Sequence, residues 1–243
     1  MKPFLLLSIR AEQAAVSEEY DAFCRFLGVS TSDLRARQLA AEPLGEVSLD
    51  DWSGILLGGG AFTVSDPEET KSDTQRRTED DLAVLLDQVV AADFPFLGAC
   101  YGIGTLGTHQ GGLVDTAYPE PVGPVSVTVT DRGAADPLFA GVPQQFSAYG
   151  GHKEALSLLP AHATLLATSE ACPVQAFRVG EHVYATQFHP ELDLPGIHTR
   201  IEVYSTFGYF HPSEAEVLKN LAGQVSVDHP GSLLANFARR YAR

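Results

Sequence analysis

Two short motifs, far apart in the chain, carry residue types that together could run acyl chemistry. Gly98-Ala99-Cys100-Tyr101-Gly102 offers a thiol, and Gln187-Phe188-His189-Pro190-Glu191 offers an imidazole and a carboxylate. A thiolate can attack an amide carbon, an imidazole can carry the proton that the departing nitrogen needs, and a carboxylate can fix the imidazole's tautomer and stabilise its cation. Pro190 biases His189 towards extended backbone, and on extended backbone His189 and Glu191 project from one side. Attack also puts negative charge on the carbonyl oxygen. Backbone amides must already point there, each typically contributing about 2.7 to 4 kcal/mol. The run Gly58-Gly59-Gly60 supplies amides that no side chain obstructs, so Gly59 or Gly60 and Tyr101, which follows the nucleophile, are the expected donors. The run is not Gly-x-Gly-x-x-Gly and no lysine follows it, which argues against a phosphate loop.

These motifs need elements to hold them. Apolar runs of strand length alternate with helical periodicity through the first hundred residues, the pattern of an α/β fold with a mostly parallel sheet between helices. Strands are expected at residues 4–9, weakly at 38–40, at 55–57 running into the glycines, and at 94–97 running into Cys100. A strand followed at once by Gly-x-Cys-x-Gly and a helix is a nucleophile elbow, with the glycines relieving collisions at the tight turn and the helix N-terminus favouring an anion. Helices are expected at 18–27, capped by Ser17 and stopped by Gly28, and from Thr78 onwards, where Thr78 and Asp81 resemble a capping box before Leu82, Leu85, Leu86, Val89 and Val90. The polar stretch 65–78 reads as a loop over a site. After residue 120 come strands at 125–130, 146–149, 164–168, 174–179 and 183–188, the last two joined by a two-residue turn at Gly180-Glu181. This half is therefore partly antiparallel. Residues 192–228 carry helices around 201–207 and 213–221, and 229–243 form a closing amphipathic helix. With no repeat or linker, residues 1–243 read as one domain.

Composition narrows the function. The chain carries 16 Lys+Arg against 31 Asp+Glu, a formal net charge of −15, so a nucleic-acid backbone would be repelled. No apolar stretch reaches signal-peptide or membrane-spanning length, and the 3 cysteines lack metal-ligand spacing. A cytoplasmic protein with free thiols, no membrane partner and no bound metal is expected. Cys24 and Cys172 fit structural roles.

The glycine run, the Cys100 elbow and the His-Pro-Glu motif, in this order and spacing, resemble the class I glutamine amidotransferases over roughly residues 1–191, with closest likeness to the amidotransferase portion of GMP synthases. The resemblance implies a flavodoxin-like three-layer architecture with an antiparallel section in its second half, and a Cys100, His189, Glu191 triad. It further implies ammonia release from glutamine through a Cys100 thioester, no cofactor, and a separate synthetase as ammonia acceptor. Gly58, Gly104, Gly151 and His152 are the candidates for holding substrate. One departure stands out: the family's Cys-x-Gly-x-Gln is Cys100-Tyr101-Gly102-Ile103-Gly104 here. Two other readings therefore stay open, a γ-glutamyl or other amide hydrolase with the same triad and a catalytically silent binding relative. Residues 192–228 are longer than the family's usual ending and are read as an insertion.

Overall fold

The computed structural model describes residues 2–243. Strands and helices alternate first: β1 (Phe4–Ser8), α1 (Gln13–Leu27), β2 (Leu34–Gln38), β3 (Gly54–Leu57), α2 (Asp73–Ala91), β4 (Phe96–Ala99) and α3 (Tyr101–His109). A strand-rich section follows, with β5 (Leu113–Asp115), β6 (Glu120–Val129), the short α4 (Asp131–Ala134), β7 (Gln145–His152), β8 (Ala155–Leu158), β9 (Thr164–Thr168), β10 (Ala176–Val179) and β11 (Val183–Thr186). Three helices close the chain: α5 (Leu194–Val203), α6 (Ala215–Ala222) and α7 (Gly231–Tyr241).

Nine strands form one sheet in the order β2-β1-β3-β4-β11-β10-β9-β6-β7, while β5 and β8 make a separate pair. The first five in that order are mutually parallel and the rest antiparallel. This is the α/β architecture with a mixed sheet that the strand pattern predicts. Every position of β1, β3, β4 and β11 is buried, as required of strands covered on both faces. Alternation then divides the core. Phe4, Leu6, Leu56 and Leu97 pack with Phe23, Leu233 and Phe237 of α1 and α7, while Leu5, Leu7, Ile55 and Phe96 pack with Leu82, Leu85 and Ile103 of α2 and α3. Each such side chain contributes about 1.5 to 3 kcal/mol by leaving water, which fixes strand register firmly.

The register positions the chemistry. β4 pairs with β3 through Leu57 and Gly98, and with β11 through Ala185 and Gly98. The glycine run, Cys100 and His189 thus follow three adjacent parallel strands and emerge at the same sheet edge, where open α/β sheets bind ligands. A smaller cluster of Tyr149, Leu192, Ile197, Ile201 and Ala222 holds α5 and α6 beside that edge, with the Tyr149 hydroxyl donating to Ala222 O at 2.9 Å.

Several boundaries differ from expectation. Helix α1 starts at Gln13, and Ser17 lies inside it accepting from Gln13 Nε2, because Gln13 to Val16 favour helix and Ala15 extends its buried stripe. Helix α2 starts at Asp73, capped by the Ser72 hydroxyl accepting from Gln75 N at 3.1 Å. Thr78 is fully buried within it and Asp81 accepts from Leu44 N, so the two make no capping box. Polar Gln75 and Thr78 continue the buried stripe of Leu82, Leu85 and Val89, which conceals the helix's beginning in sequence. The weak strand moves to Leu34–Gln38, an edge strand in which only Leu34 is buried. The β10-β11 hairpin pairs Val179 with Val183, leaving a three-residue loop whose Glu181 and His182 amides donate to the Asp93 carboxylate. The helix expected around 201–207 lies at Leu194–Val203, where Asp193 caps it by accepting from Gly196 N.

Candidate active site

Cys100 sits where β4 becomes α3. Its amide donates to Thr186 O at 2.8 Å, the last link to β11, and helix α3 begins at the next residue. Between them Cys100 adopts φ 54° and ψ −92°, a conformation that typically costs a non-glycine residue about 1 to 3 kcal/mol. Sheet and helix hold it there. A Cβ on Gly98 would lie 2.8 Å from the Gly102 Cα, so position 98 admits no side chain. Position 102 differs from expectation, since a Cβ there would meet Leu57 only at 3.6 Å or more. The turn is tight on its strand side alone.

His189 is anchored by its amide, which donates to Tyr149 O at 3.0 Å, and its Nδ1 lies 2.7 Å from Glu191 Oε1. The pairing forms through a turn rather than extended backbone: β11 ends at Thr186, and Leu192 N returns to His189 O at 3.4 Å. Gly59 brings the two motifs together. A Cβ there would stand 2.6 Å from His189 Cε1 and 3.1 Å from Cys100 Cβ, so imidazole and thiol border one point. Burial works against a charged imidazole, but the Glu191 carboxylate and then the charge and hydrogen bond of Cys100 outweigh it, raising His189 to about 10. For Glu191 burial is again opposed, here by His189 first and then by Arg200 and Arg10, which bring it down to about 2.

The three glycines divide their work. Gly58 N donates to Leu7 O at 3.0 Å, which extends the sheet, and a Cβ on Gly58 would strike the Glu19 carboxylate. Gly58 is therefore part of the framework rather than a substrate contact. The amides of Gly59 and Gly60 donate to no group among the described residues, and Tyr101 N opens α3, where the first amides have no acceptor within the helix. The Tyr209 hydroxyl donates to Gly60 O at 3.2 Å and holds the loop.

Two cavities meet at Cys100, Gly60 and Tyr209. One is bordered by Tyr101, Gly104, Lys153, Glu154 and Gln187. A Cβ at Gly104 would already be 3.3 Å from Glu154 Oε1 and from Val64 Cγ2, so Glu154 fills the room a longer side chain would take. Its carboxylate accepts from Val64 N at 2.8 Å and Ser65 N at 2.7 Å, pinning the loop after the glycines, and burial raises its pKa above the usual carboxylate range. His152 borders this cavity, yet its Nδ1 is engaged with Glu154 O and its Nε2 with Glu120, so its ring is committed to the protein. Gly151 borders the other cavity, together with His189, Val122, Leu192, Ile197 and Phe210.

Sequence reading missed the charges behind the triad. Arg10, just past β1, pairs with Glu19 at 2.6 Å and donates to the Tyr204 hydroxyl at 2.9 Å, while Ser8 Oγ donates to Glu19 at 2.6 Å. Arg200 of α5 pairs with Glu18 at 2.8 Å and donates to Ala15 O at 2.9 Å. A charged residue two positions past a fully buried strand, behind the buried Ile9, was the available signal for Arg10; nothing local marks Arg200, Tyr204 or Tyr209.

The family model described as "Glutamine amidotransferase class-I" matches residues 24–200, which include Cys100, His189 and Glu191. The glutamine-hydrolyzing GMP synthase of Thermomicrobium roseum is 33% identical over 150 residues, 58% of this chain and 25% of its own length. A polypeptide named as one subunit of the glutamine-hydrolyzing GMP synthase of Methanothermobacter thermautotrophicus is 30% identical over 170 residues, 70% of this chain and 78% of its own. The match thus spans a quarter of the first relative and over three quarters of the second. The crystal structure of a glutamine amidotransferase from Thermotoga maritima shares the fold, with a TM-score of 0.78 at 20% identity, covering 100% of this chain and 99% of that one.

Proposed function

This chain belongs to the class-I glutamine amidotransferase family, and from that premise we propose that it hydrolyses the side-chain amide of glutamine through a thioester on Cys100. One observation carries the reading: Cys100 and His189, 89 positions apart in sequence, both abut Gly59 at the ends of adjacent parallel strands.

The cycle follows from the geometry. The Cys100 thiolate attacks the amide carbon, and the carbonyl oxygen takes up charge beside the free amides of Gly59 or Gly60 and Tyr101. His189, held as a cation by Glu191, gives its proton to the nitrogen as the C–N bond breaks, and ammonia leaves. Water then attacks the thioester, His189 accepts its proton, the C–S bond breaks and glutamate is released. Arg200 and Arg10 add to the pull of His189 in favouring an ionised Glu191. The strained backbone of Cys100 supports the same role, since it lifts the sulfur off the sheet edge towards the cavities.

Ammonia would pass to a separate synthetase polypeptide. The relatives named as one subunit of a GMP synthase support a divided enzyme of this kind. The test is glutamate release from glutamine, together with a mass-spectrometric search for a Cys100 adduct with a glutamine-mimicking electrophile. Adduct on Cys100 and loss of turnover in Cys100→Ala are expected. Labelling elsewhere in the folded protein, or turnover by Cys100→Ala, would overturn the reading.

A further inference from the structure

The loop that must receive the oxyanion is weakly held by its own neighbourhood. Gly59 and Gly60 follow strand β3, and glycine leaves both peptides free to turn over a wide range of φ and ψ. Donors at such a site help only if they already point at the forming charge, because a peptide that must swing into place loses much of its effect to reorganisation. The last link to the sheet is Gly58 N. Beyond it, the only hydrogen bond to the backbone of Gly59 and Gly60 among the described residues comes from the Tyr209 hydroxyl, which donates to Gly60 O at 3.2 Å.

Tyr209 reaches the loop from 149 positions away, on a strap formed by residues 204–210. The strap is itself tied down twice. Arg10 Nη1 donates to the Tyr204 hydroxyl at 2.9 Å, and Lys153 Nζ donates to Phe207 O at 2.8 Å. Gly208 turns the chain at φ 77°, and Lys153 Nζ then also stands 4.4 Å from the centre of the Tyr209 ring, a cation over an aromatic face. The Tyr204 ring meets that of Phe207 at 5.1 Å and that of Tyr209 at 6.4 Å. These contacts deliver Tyr209 to the border that both cavities share with Cys100 and Gly60. Burial first, and then the charge of Cys100, push its pKa above the ordinary tyrosine value, so the hydroxyl stays a donor.

We propose that Tyr209 is a positioning residue: its hydroxyl holds the Gly60 carbonyl so that the Gly59 or Gly60 amide faces the carbonyl oxygen of the bound amide. The inference rests on Cys100 acting as the nucleophile of the hydrolysis put forward above. Acting through the loop, the hydroxyl matters most once that oxygen carries charge. Its loss should therefore lower kcat and leave KM nearly unchanged.

The full chain and its Tyr209→Phe and Tyr209→Ala variants are compared in glutamate release from L-glutamine and in the rate at which iodoacetamide alkylates Cys100. Alkylation displaces iodide from a saturated carbon and builds no oxyanion, so it reports on the thiol alone. Tyr209→Phe keeps the ring and should lower kcat about tenfold or more, towards the 10² to 10³ typical of a donor removed outright, with KM and the alkylation rate within about threefold of the parent. Tyr209→Ala should share that loss of kcat and raise KM as well, since the packing of the strap goes with the ring. A smaller fall for Tyr209→Phe, or its recovery of the kcat lost in Tyr209→Ala, assigns the effect to the ring and overturns the inference. Slower alkylation in step with kcat overturns it too, because the hydroxyl would then act on the thiol. A raised KM at unchanged kcat overturns it in favour of a substrate contact. In each of these cases turnover by the parent leaves the preceding proposal standing, whereas a parent that releases no glutamate overturns both.

Discussion

Two clusters in this molecule contain the same three residue types. Cys100, His189 and Glu191 meet at the sheet edge, and Cys172, His152 and Glu120 bring their donor atoms within 4.8 Å of one another in the strand-rich half. The second cluster is closed. Cys172 is wholly buried, its thiol is directed to Val174 O at 3.6 Å, and burial pushes it up to about 11. Glu120 accepts from Ser169 Oγ at 2.8 Å and Gln175 Nε2 at 2.5 Å and lies 2.9 Å from His152 Nε2; burial opposes its charge, but these bonds hold its pKa below the usual range. The first cluster is open: its thiol borders two cavities, the amides of Gly59 and Gly60 are free among the described residues, and its imidazole is charged by a carboxylate whose own charge His189 and, less strongly, Arg200 and Arg10 favour. Composition alone does not make a reactive site. A thiol also needs free space in front of it and donors left unused.

The contrast can be broken most decisively at the cysteines. Cys100→Ser should lower glutamine hydrolysis by a factor on the order of 10³ or more, whereas Cys172→Ala should keep activity within a few-fold and lose about 1 kcal/mol of stability. Iodoacetamide should modify Cys100 in the folded protein and reach Cys172 only after denaturation. Equal activity loss in the two variants would erase the distinction. At the histidines, His189→Ala should reduce kcat by about 10² to 10⁴. His152→Ala should instead leave Glu120 short of a partner and cost about 1 to 3 kcal/mol in a thermal melt, with turnover largely retained.

An effect on stability of similar size is expected within the open site. Gly98→Ala drives a Cβ against Gly102 and should cost about 1 to 3 kcal/mol in a urea titration, while Gly102→Ala should be nearly neutral there. The pH dependence sharpens the comparison last. Glu191 falls to about 2 in the folded chain, so its stabilisation is fully present above about 4.5 and is lost as pH drops through about 2. His189 rises to about 10, so its stabilisation is complete below about 6.5 and is lost as pH climbs through about 10. Glu191→Gln should therefore move the alkaline limb of the activity profile to lower pH. A limb that stays in place would mean that Glu191 does not set the charge on His189.

The legible parts of the chain were those under the simplest constraint. Strands β1, β3, β4 and β11 are buried on both faces, so their apolar runs stood out, and the motifs that follow them stood out with them. Strand β2 was shifted because an edge strand of sequence Leu-Arg-Ala-Arg-Gln has no apolar run to find. The start of α2 was hidden because Gln75 and Thr78 occupy buried positions usually read from apolar residues. Tyr209 closes over Gly60 from a segment with no periodicity of its own.

The sequence by itself determined the strand-to-helix elbow at Cys100 and the short link between His189 and Glu191, because each depends on neighbours along the chain. Only the tertiary structure decided which cysteine faces open space, which glycine amides stay free, and that Arg10 reaches Tyr204 from 194 positions away. Those outcomes depend on which strands lie side by side and what packs over their ends, and burial and charge take their values only when remote segments share one low-dielectric volume.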